Sequence, residues 1–356
     1  MAEADLSAGY DPQLDYPLPG RPEAAEMRES VSMWFFDDRG RVGFPRFCIE
    51  ALASQWDYRG VQANIALDDG RVLRCAGGFV AGEPRRAGNR PVSLDAGPLR
   101  FELVAPLRRW RLSFDGAAGE SSARAQGEGA PVGAVRRVRV ELDAEMAAPP
   151  WSSGEQTADR ATSLTIGAVS GHRHEQLFRC RGSFRLDDEP AIDFTGTGLR
   201  IRRYGLRDNG VFPGHCWQSA LFPSGRGFGL IALPPRAEQA TGFSDCYVFD
   251  GQRKHPGRVV EAPWMTAFAP DGDKVDVVLE TDEGREEITG VSCFSTAFAP
   301  NASLFGDWTE NGSPRRLGAL PLQQSGALYR WRGEQAYGMV ERSYPALDSA
   351  EMARLR

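Results

Sequence analysis

The stretch GTGLRIRRYGLRDNGVFPGHCWQSALFPSGRGFGLIAL (Gly196–Leu233) carries the pattern that decides the fold. It begins with a basic, alternating run that is typical of a β-strand, because successive side chains of a strand point to opposite faces. A glycine-punctuated turn with Asp208 and Asn209 follows. A second β-like run carries His215 and Trp217 two residues apart and ends among glycines. The stretch therefore predicts antiparallel β-structure with chemically useful side chains near its turn.

The same strand–turn–strand pattern recurs outward from this stretch along the whole chain. Alternating runs are separated by Asp-Gly, Asp-Asp-Glu or Gly-Glu turns, which favour β-hairpins. The clearest examples are Val61–Leu67 with its Asp-Gly turn, Leu99–Phe114, His174–Gly205 and Ala327–Tyr344. Only Asp348–Leu355 is predicted to be helical, with Asp348 and Glu351 spaced as a capping box. These observations predict an all-β protein with a short C-terminal helix.

The length of 356 residues predicts two domains, because single cores seldom grow that large. Residues 1–28 are rich in Pro, Asp, Glu and Ala without periodicity and are predicted to form a flexible arm. The small, polar residues 115–132 predict a surface loop. Residues 144–165 are similar and contain two prolines, so we place the boundary there, between domains 29–165 and 166–356. The strand number indicates two antiparallel barrels or curved sandwiches side by side, each with room for a small apolar ligand.

Composition argues against a nucleic-acid-binding, a membrane-spanning or a disulfide-bonded protein. The net charge of −6 argues against nucleic acid as a partner, because nucleic-acid binders present a basic face. No basic segment followed by an apolar run begins the chain, and no apolar run reaches the ~20 residues of a membrane span. The six cysteines are scattered without a CxxC pair, which favours reduced thiols. A cytoplasmic protein without a membrane span is expected, and oligomerisation stays open.

Four patches of sequence resemble one known superfamily. They are LRFELVAPLRRWRLSFDG (Leu99–Gly116), HEQLFRCRGSFRLDD (His174–Asp188), GLRDN (Gly205–Asn209) with the tryptophan downstream, and AYGMVERSY (Ala336–Tyr344). With them, the chain resembles the two-domain lipocalin-like (calycin) proteins related to carotenoid 1,2-hydratases, AttH-like proteins and some fungal Diels–Alderases. It is most similar to a bacterial branch without an assigned function. The resemblance implies two lipocalin-like barrels and a pocket for a hydrophobic molecule.

The sequence departs from this superfamily at the expected active region. Relatives typically follow the Arg-Asp pair with His-Ser-Trp-Gly, whereas this chain has Asn-Gly-Val-Phe at residues 209–212. A His-x-Trp pair occurs just downstream, at His215 and Trp217. The hydratases also carry a Tyr-x-Asp pair, and here the order is reversed in Asp245 and Tyr247.

His215 and Asp208 are the candidate proton donors. If residues 214–222 form a strand, His215 and Trp217 point to one face, where a histidine beside an aromatic wall can protonate an alkene or activate water. The alternative is a core histidine bonded to the backbone, with Trp217 as filler. Asp208 can act as an acid if it is buried, or it can form an ion pair with Arg207 that shapes the turn.

Further residues are candidates for the pocket. Asp245 and Tyr247 share an aromatic strand face and are predicted to orient the proton donor, unless that face meets solvent. The predicted substrate-binding residues are Trp217, Tyr204, Phe228, Arg207 and Asn209.

Other constellations are weaker. His172 and His174 share a strand face, but no third ligand is near in sequence, so no metal site is predicted. Glu341 is expected to anchor Arg330 or Arg332 across the final hairpin. The sequence contains no GxSxG elbow, no P-loop and no strand–GxGxxG–helix unit, and no cofactor is expected.

The sequence thus supports two functional hypotheses. The first is a cofactor-independent enzyme that hydrates, dehydrates, isomerises or cyclises a terpenoid, steroid or polyketide-like molecule in an aromatic cavity. The second is a lipocalin-type binding protein for such a molecule, which needs the cavity but no titrating group.

Overall fold

The computed structural model of the protein describes residues 6–128, 130–153, 172–206, 214–234, 243–265, 268–298 and 322–343. These residues form antiparallel β-strands almost throughout, which confirms the predicted fold class. Within the described ranges, no helix combines the length and apolar character needed to cross a membrane. The predicted helix Asp348–Leu355 lies outside the described residues.

Twelve strands form the first sheet and a small ribbon beside it. The strands are β1 (Arg28–Asp37), β2 (Val42–Leu52), β3 (Tyr58–Leu67), β4 (Val72–Val80), β5 (Arg86–Ala87), β6 (Arg90–Pro91), β7 (Ser93–Ala96), β8 (Leu99–Ala105), β9 (Arg109–Ser121), β10 (Val135–Met146), β11 (His172–Leu186) and β12 (Ile192–Gly205). The order is β10-β11-β12-β1-β2-β3-β4-β9-β8-β7, and β9 also pairs with β10. That extra pairing closes the sheet on itself, and we call it the first barrel.

Eight strands form a second closed barrel in sequence order. They are β13 (His215–Leu221), β14 (Gly227–Ala232), β15 (Ser244–Phe249), β16 (Lys254–Glu261), β17 (Val277–Thr281), β18 (Gly284–Phe298), β19 (Leu322–Trp331) and β20 (Glu334–Ser343). Strand β13 closes the ring by pairing with β20. Within the described residues, the helical elements are 3-10 turns at Pro12–Asp15 and Ala53–Gln55 and one short helix, α1 (Ala123–Gly127).

Side chains fill the interior of each barrel. Alternate residues of every strand point inward, so Phe35 and Phe47 meet in the first barrel and Phe228 meets Tyr329 in the second. A third buried cluster, which includes Trp34, Leu177 and Trp217, lies between the barrels. These inward-facing side chains pack against one another, and the expected ligand cavity inside a barrel stays a prediction. The outer face of each barrel that carries this third cluster is buried against the other barrel.

The strand pairing places the boundary between the two barrels later in the chain than the sequence predicted. The prediction placed it at residue 165 and assigned His172–Gly205 to the second domain. Strand β11 instead pairs with β10, and β12 pairs with β1, so both complete the first barrel. The change of barrel falls between Gly205 and His215. The polar, proline-containing composition of residues 144–165 suggested a linker, but composition does not reveal which sheet edge the next strand joins.

Two segments predicted to be irregular are built into the first barrel. The described part of the N-terminal arm packs against it, and Asp15 is fully buried there. Strand β9 continues to Ser121, because the glycine- and alanine-rich stretch from Gly116 pairs with the start of β10. Small residues weaken strand propensity, yet a neighbouring edge with free hydrogen-bonding groups is enough to hold them in the sheet.

Replacing Gly196 by alanine is expected to lower the free energy of unfolding by about 1–3 kcal/mol, as overpacking of a tight core does. A Cβ atom at this position would lie 1.9 Å from the carbonyl oxygen of Phe36 in the adjacent strand β1, and a backbone atom cannot move aside cheaply. Urea unfolding followed by tryptophan fluorescence measures the change. Gly20→Ala is the control, since a Cβ atom there meets open space. Equal stability of the two variants would contradict the expectation.

Candidate functional site

Four predicted site residues lie on one face of the second barrel. His215 and Trp217 alternate along β13, and Asp245 and Tyr247 alternate along β15, with β14 between the two strands. Trp217 is opposite Ile231, which is opposite Asp245, so the two pairs lie on the same side of the sheet. This side is the outer face of the barrel. It is covered by the first barrel, since Trp217 and Tyr247 are buried against Leu177 and Trp151.

The other predicted pocket residues are placed elsewhere or are not described. Phe228 points into the interior of the second barrel, because its position in β14 has the opposite parity to Ile231, and its ring meets Tyr329 edge-on. Tyr204 is the last residue but one of β12 in the first barrel, and its ring lies 4.6 Å from that of His172. Neither joins the face that carries Trp217. Arg207, Asp208 and Asn209 lie outside the described residues.

Trp217 joins the two barrels through a buried glutamate of the first. Its indole Nε1 donates a hydrogen bond of 3.1 Å to Glu175 Oε2 in β11. Its ring lies 4.4 Å from the guanidinium of Arg173 and meets Trp34 edge-on at 5.0 Å. Arg173 also forms an ion pair with Glu175. An acid, a guanidinium and two indole rings are thus in contact in the buried interface.

Burial raises the pKa of Glu175 above its ordinary value, although the charge of Arg173 and the hydrogen bond from Trp217 oppose that rise. The carboxyl therefore keeps its proton to higher pH than an exposed glutamate would. Burial and the charge of Glu175 also raise the pKa of Tyr247, so its phenol stays neutral. The arrangement places a carboxyl whose pKa is raised beside aromatic rings, a setting that suits general acid catalysis on an apolar molecule.

His215 is held by polar contacts on both ring nitrogens. Nδ1 lies 2.7 Å from Ser343 Oγ, and Nε2 lies 3.1 Å from Glu341 Oε1. A carboxylate only accepts hydrogen bonds, so in the neutral imidazole Nε2 carries the hydrogen and Nδ1 accepts from the serine hydroxyl. This fixes the tautomer and the orientation of the ring.

Glu341 is ionised despite its burial. Burial alone would raise its pKa, but the hydrogen bond from His215, the charge of Arg46 and the hydrogen bond from Gln324 lower the pKa to about 2. Gln324 Nε2 donates to Glu341 Oε2 over 2.7 Å. The expectation that Glu341 anchors Arg330 or Arg332 is wrong for Arg332, which pairs with Glu286. Glu341 faces the first barrel because its parity in β20 matches that of Trp217 across the pairing with β13.

Arg46 brings a cation to this carboxylate from the first barrel. Its NH1 lies 3.6 Å from Glu341 Oε2, and its guanidinium lies over the ring of Trp34 at 5.5 Å. The backbone of Arg46 has a φ of 91°, where the pairing of β2 with β3 shifts register between Gly43 and Phe47. Such φ values are uncommon for residues other than glycine and concentrate at functional sites.

We call these contacting side chains the inter-barrel cluster: Trp34, Arg46, Arg173, Glu175, His215, Trp217, Tyr247 and Glu341. The sequence predicted site roles for His215, Trp217 and Tyr247 but none for Trp34, Arg46, Arg173 or Glu175. The alternation of β11 does place Glu175 on the face opposite His174. No sequence pattern indicates that a second barrel covers that face.

Other polar features lie away from the cluster. His174, one of the two histidines considered for a metal, bonds through Nε2 to Asp15. His255 has ligand atoms near those of Asp282 and Glu283, as a metal site would, but its Nε2 lies 3.0 Å from Asp250. A groove of about 430 Å³ crosses the outside of the first barrel between Arg111 and Phe194, and the inter-barrel cluster does not line it.

Comparison with solved structures finds the same two-barrel architecture at low sequence identity. An AttH-like protein from Nitrosomonas europaea superposes with a TM-score of 0.58 and 13% identity, covering 96% of this chain and 99% of that chain. CghA superposes with a TM-score of 0.54 and 11% identity, covering 98% of each chain. CghA with Sch210972 gives a TM-score of 0.56 at 10% identity, covering 96% and 97%.

These likenesses show that the chain shares the fold of these proteins. A search of curated protein sequences finds no match. A family described as a domain of unknown function, DUF7064, matches residues 11–343, which is nearly the whole chain. The chain therefore belongs to the DUF7064 family.

Proposed function

We propose that this protein is a cofactor-independent enzyme that acts on a hydrophobic small molecule between its two barrels. The substrate class is a terpenoid, steroid or polyketide-like compound, and the reaction is an acid-assisted hydration, dehydration, isomerisation or cyclisation. The observation that carries the proposal is Glu175, a fully buried carboxyl with a raised pKa that contacts Trp217 inside an aromatic interface. The fold it shares with CghA, which has been solved with the small molecule Sch210972, is consistent with that setting.

In the proposed reaction, Glu175 donates its proton to an alkene or carbonyl of the substrate. The positive charge that develops is stabilised by the faces of Trp217 and Trp34, since aromatic rings attract cations. In a hydration, water then adds to the cationic carbon and its proton passes to His215. The resulting imidazolium is stabilised by the ionised Glu341, 3.1 Å away. In an isomerisation, His215 instead removes a proton from the adjacent carbon.

The second candidate is a binding protein of lipocalin type. It is favoured by the completeness of the polar contacts without a ligand: Glu175 already has Arg173 and Trp217, and His215 already has Ser343 and Glu341. Such a protein would hold the same class of molecule between the barrels and return it unchanged.

Incubation in D₂O separates the two candidates. Where Glu175 protonates an alkene, the enzyme is expected to transfer a solvent deuteron to carbon, because the carboxyl exchanges with solvent between turnovers; where it protonates an oxygen, a new product is the expected sign of turnover. A panel of polyenes, terpenoids and polycyclic ketones is incubated with the protein, without added cofactor, and the products are analysed by mass spectrometry. Tryptophan fluorescence reports binding in parallel, since Trp34 and Trp217 are in the cluster. Saturable binding without deuterium incorporation or a new product would support the binding protein instead.

A further inference from the structure

One end of the first barrel contains a carboxylate held by four donors. Asp15, in the 3-10 turn Pro12–Asp15, is fully buried. Its Oδ1 accepts from Arg200 NH1 at 2.6 Å and from His174 Nε2 at 3.1 Å. Its Oδ2 accepts from the backbone N–H of Leu107 at 2.7 Å and from Trp110 Nε1 at 3.0 Å. Both oxygens thus have two partners each, which satisfies the lone pairs of an ionised carboxylate.

All four donors belong to the barrel and none to the segment that carries the carboxylate. Arg200 and His174 project from the neighbouring strands β12 and β11, and Trp110 lies in β9. The N–H of Leu107 is aimed inward by the turn between β8 and β9, where Leu107 adopts a φ of 58°. The donors are therefore positioned by sheet pairing and a tight turn, independently of the chain that supplies the anion.

We call these four donors the socket. Their total charge suits one singly charged anion. Burial and the nearby charge of Arg200 lower the pKa of His174 to about 4, so the imidazole is neutral and donates through Nε2. Arg202, the next inward-facing residue of β12, has its own partner in Glu29 at 2.6 Å. Among these donors Arg200 alone then carries a positive charge, and its guanidinium lies over the ring of Trp110 at 5.1 Å. The socket favours a monoanion with two oxygens over a neutral amide or a dianion.

The segment that carries Asp15 also contacts the barrel through Tyr10, whose hydroxyl is hydrogen-bonded to Ser152 and whose ring lies 5.5 Å from that of His174. Asp11, in the same turn, is exposed and only caps the turn through Gln13. The carbonyl of Tyr16 accepts from Arg202 at 2.7 Å, and the N–H of Leu18 donates to Glu29 at 2.6 Å. Asp15 is thus the deepest point at which this segment enters the barrel.

We propose that Arg200, His174, Trp110 and the N–H of Leu107 form a carboxylate-binding site of the first barrel, which Asp15 occupies as an internal ligand. The site takes a free monocarboxylate of formate or acetate size when the side chain of residue 15 is removed. This site is separate from the inter-barrel cluster, and its existence does not depend on the proposed enzymatic function.

Chemical rescue tests the site. Asp15→Gly removes the carboxymethyl group and is expected to lower Tm strongly, because Arg200 is left buried without its anion. Formate or acetate is expected to restore about half of the lost Tm or more, with a saturable dependence on concentration, as linkage requires for a ligand of the folded state. Formamide and acetamide, which have the same shape without the charge, are expected to restore none.

Two comparisons separate specific binding from a general salt effect. Wild type and Asp11→Gly retain the Asp15 carboxylate and are expected to show no saturable response to formate. A double variant, Asp15→Gly with Arg200→Met, is expected to lose the response of the single variant. An equal rise of Tm in all of these proteins, or no response of Asp15→Gly, would overturn the proposal. If Asp15→Gly folds poorly, refolding yield replaces Tm: recovery that requires formate and not chloride supports the site, and recovery indifferent to the anion overturns it.

Discussion

Replacing Glu175 by glutamine is expected to lower turnover by about 10²–10⁴-fold, the usual contribution of a general acid, while ligand affinity stays nearly unchanged. Glutamine has the same shape and still accepts the hydrogen bond from Trp217 Nε1, which is 3.1 Å long in the native protein. It has no proton to transfer at neutral pH. The measurement is kcat on any substrate found in the D₂O screen, with binding followed by tryptophan fluorescence on the same preparation.

The second barrel offers a matched control in Glu286→Gln. Glu286 is also a buried glutamate that accepts from an indole, Trp331 Nε1 at 3.0 Å, and pairs with an arginine, Arg332. It differs from Glu175 in lying outside the inter-barrel cluster. Loss of turnover in both variants would indicate that any buried glutamate of this kind matters only for stability, which would contradict the assignment of Glu175 as the acid.

The raised pKa of Glu175 determines in which direction kcat and the free energy of unfolding change with pH. Catalysis needs the protonated acid, so kcat is expected to fall as the pH rises through the raised pKa of the folded protein. An unfolded glutamate titrates near ~4.3, so the unfolded chain releases its proton first. The contribution of Glu175 to stability is therefore complete below that pH and is lost as the pH rises. Glu175→Gln should accordingly gain stability relative to wild type with rising pH, and a constant difference would contradict this.

Replacing Glu341 by alanine is expected to lower the free energy of unfolding by about 3–5 kcal/mol, as breaking a buried ion pair does. Glu341 is the anionic partner of Arg46 and the hydrogen-bond acceptor of His215, and all three side chains are largely buried. Removing it takes away the carboxylate nearest to the buried guanidinium of Arg46 and leaves the amide of Gln324 without this acceptor. Urea denaturation measures the loss, and Glu341→Gln is expected to recover part of it.

Glu287→Ala is the control for this variant. The Glu287 side chain is exposed and forms only a surface ion pair with Arg285, so its removal should change stability by no more than about 0.5 kcal/mol. The pH dependence provides a further check. The pKa of Glu341 is depressed from 4.5 to about 2, so its contribution is present above the ordinary pKa and is lost as the pH falls between these values. A Glu341→Gln protein that loses stability as steeply as wild type in that range would contradict the ionised state.

The strands were predictable because their alternation and turns are local signals. The hairpins at Asp68–Gly70, at Asp187–Glu189 and at Gly333 all lie where the turn residues indicated. The boundary of the first barrel was not predictable. The sequences of β11 and β12 show the same alternating pattern whether these strands pair with β10 and β1 or begin a new sheet. Sheet order depends on pairing between distant segments, and no alternating pattern encodes a partner.

The site was only half predictable for the same reason. Period-two alternation correctly placed His215 with Trp217 and Asp245 with Tyr247, and it also put Phe228 on the other face of β14 once the strand register was known. Glu175 and Arg46 are buried because the outer face of the first barrel packs against the outer face of the second. A charged residue on the outer face of a strand normally meets solvent, so the sequence gives no reason to expect such a residue to be buried.

Every strand of the first barrel precedes every strand of the second along the chain, and the change occurs once, between Gly205 and His215. The proposed acid, Glu175, is therefore synthesised before its indole partner Trp217 and well before Glu341. Domains generally fold as units in the order of synthesis, so the first barrel can close while its Trp34 face still lacks a cover. The proposed acid and His215 come into one interface only when the second barrel docks. Docking of the second barrel therefore completes the proposed site. A nascent chain whose second barrel has not yet folded is expected to have no activity at this site.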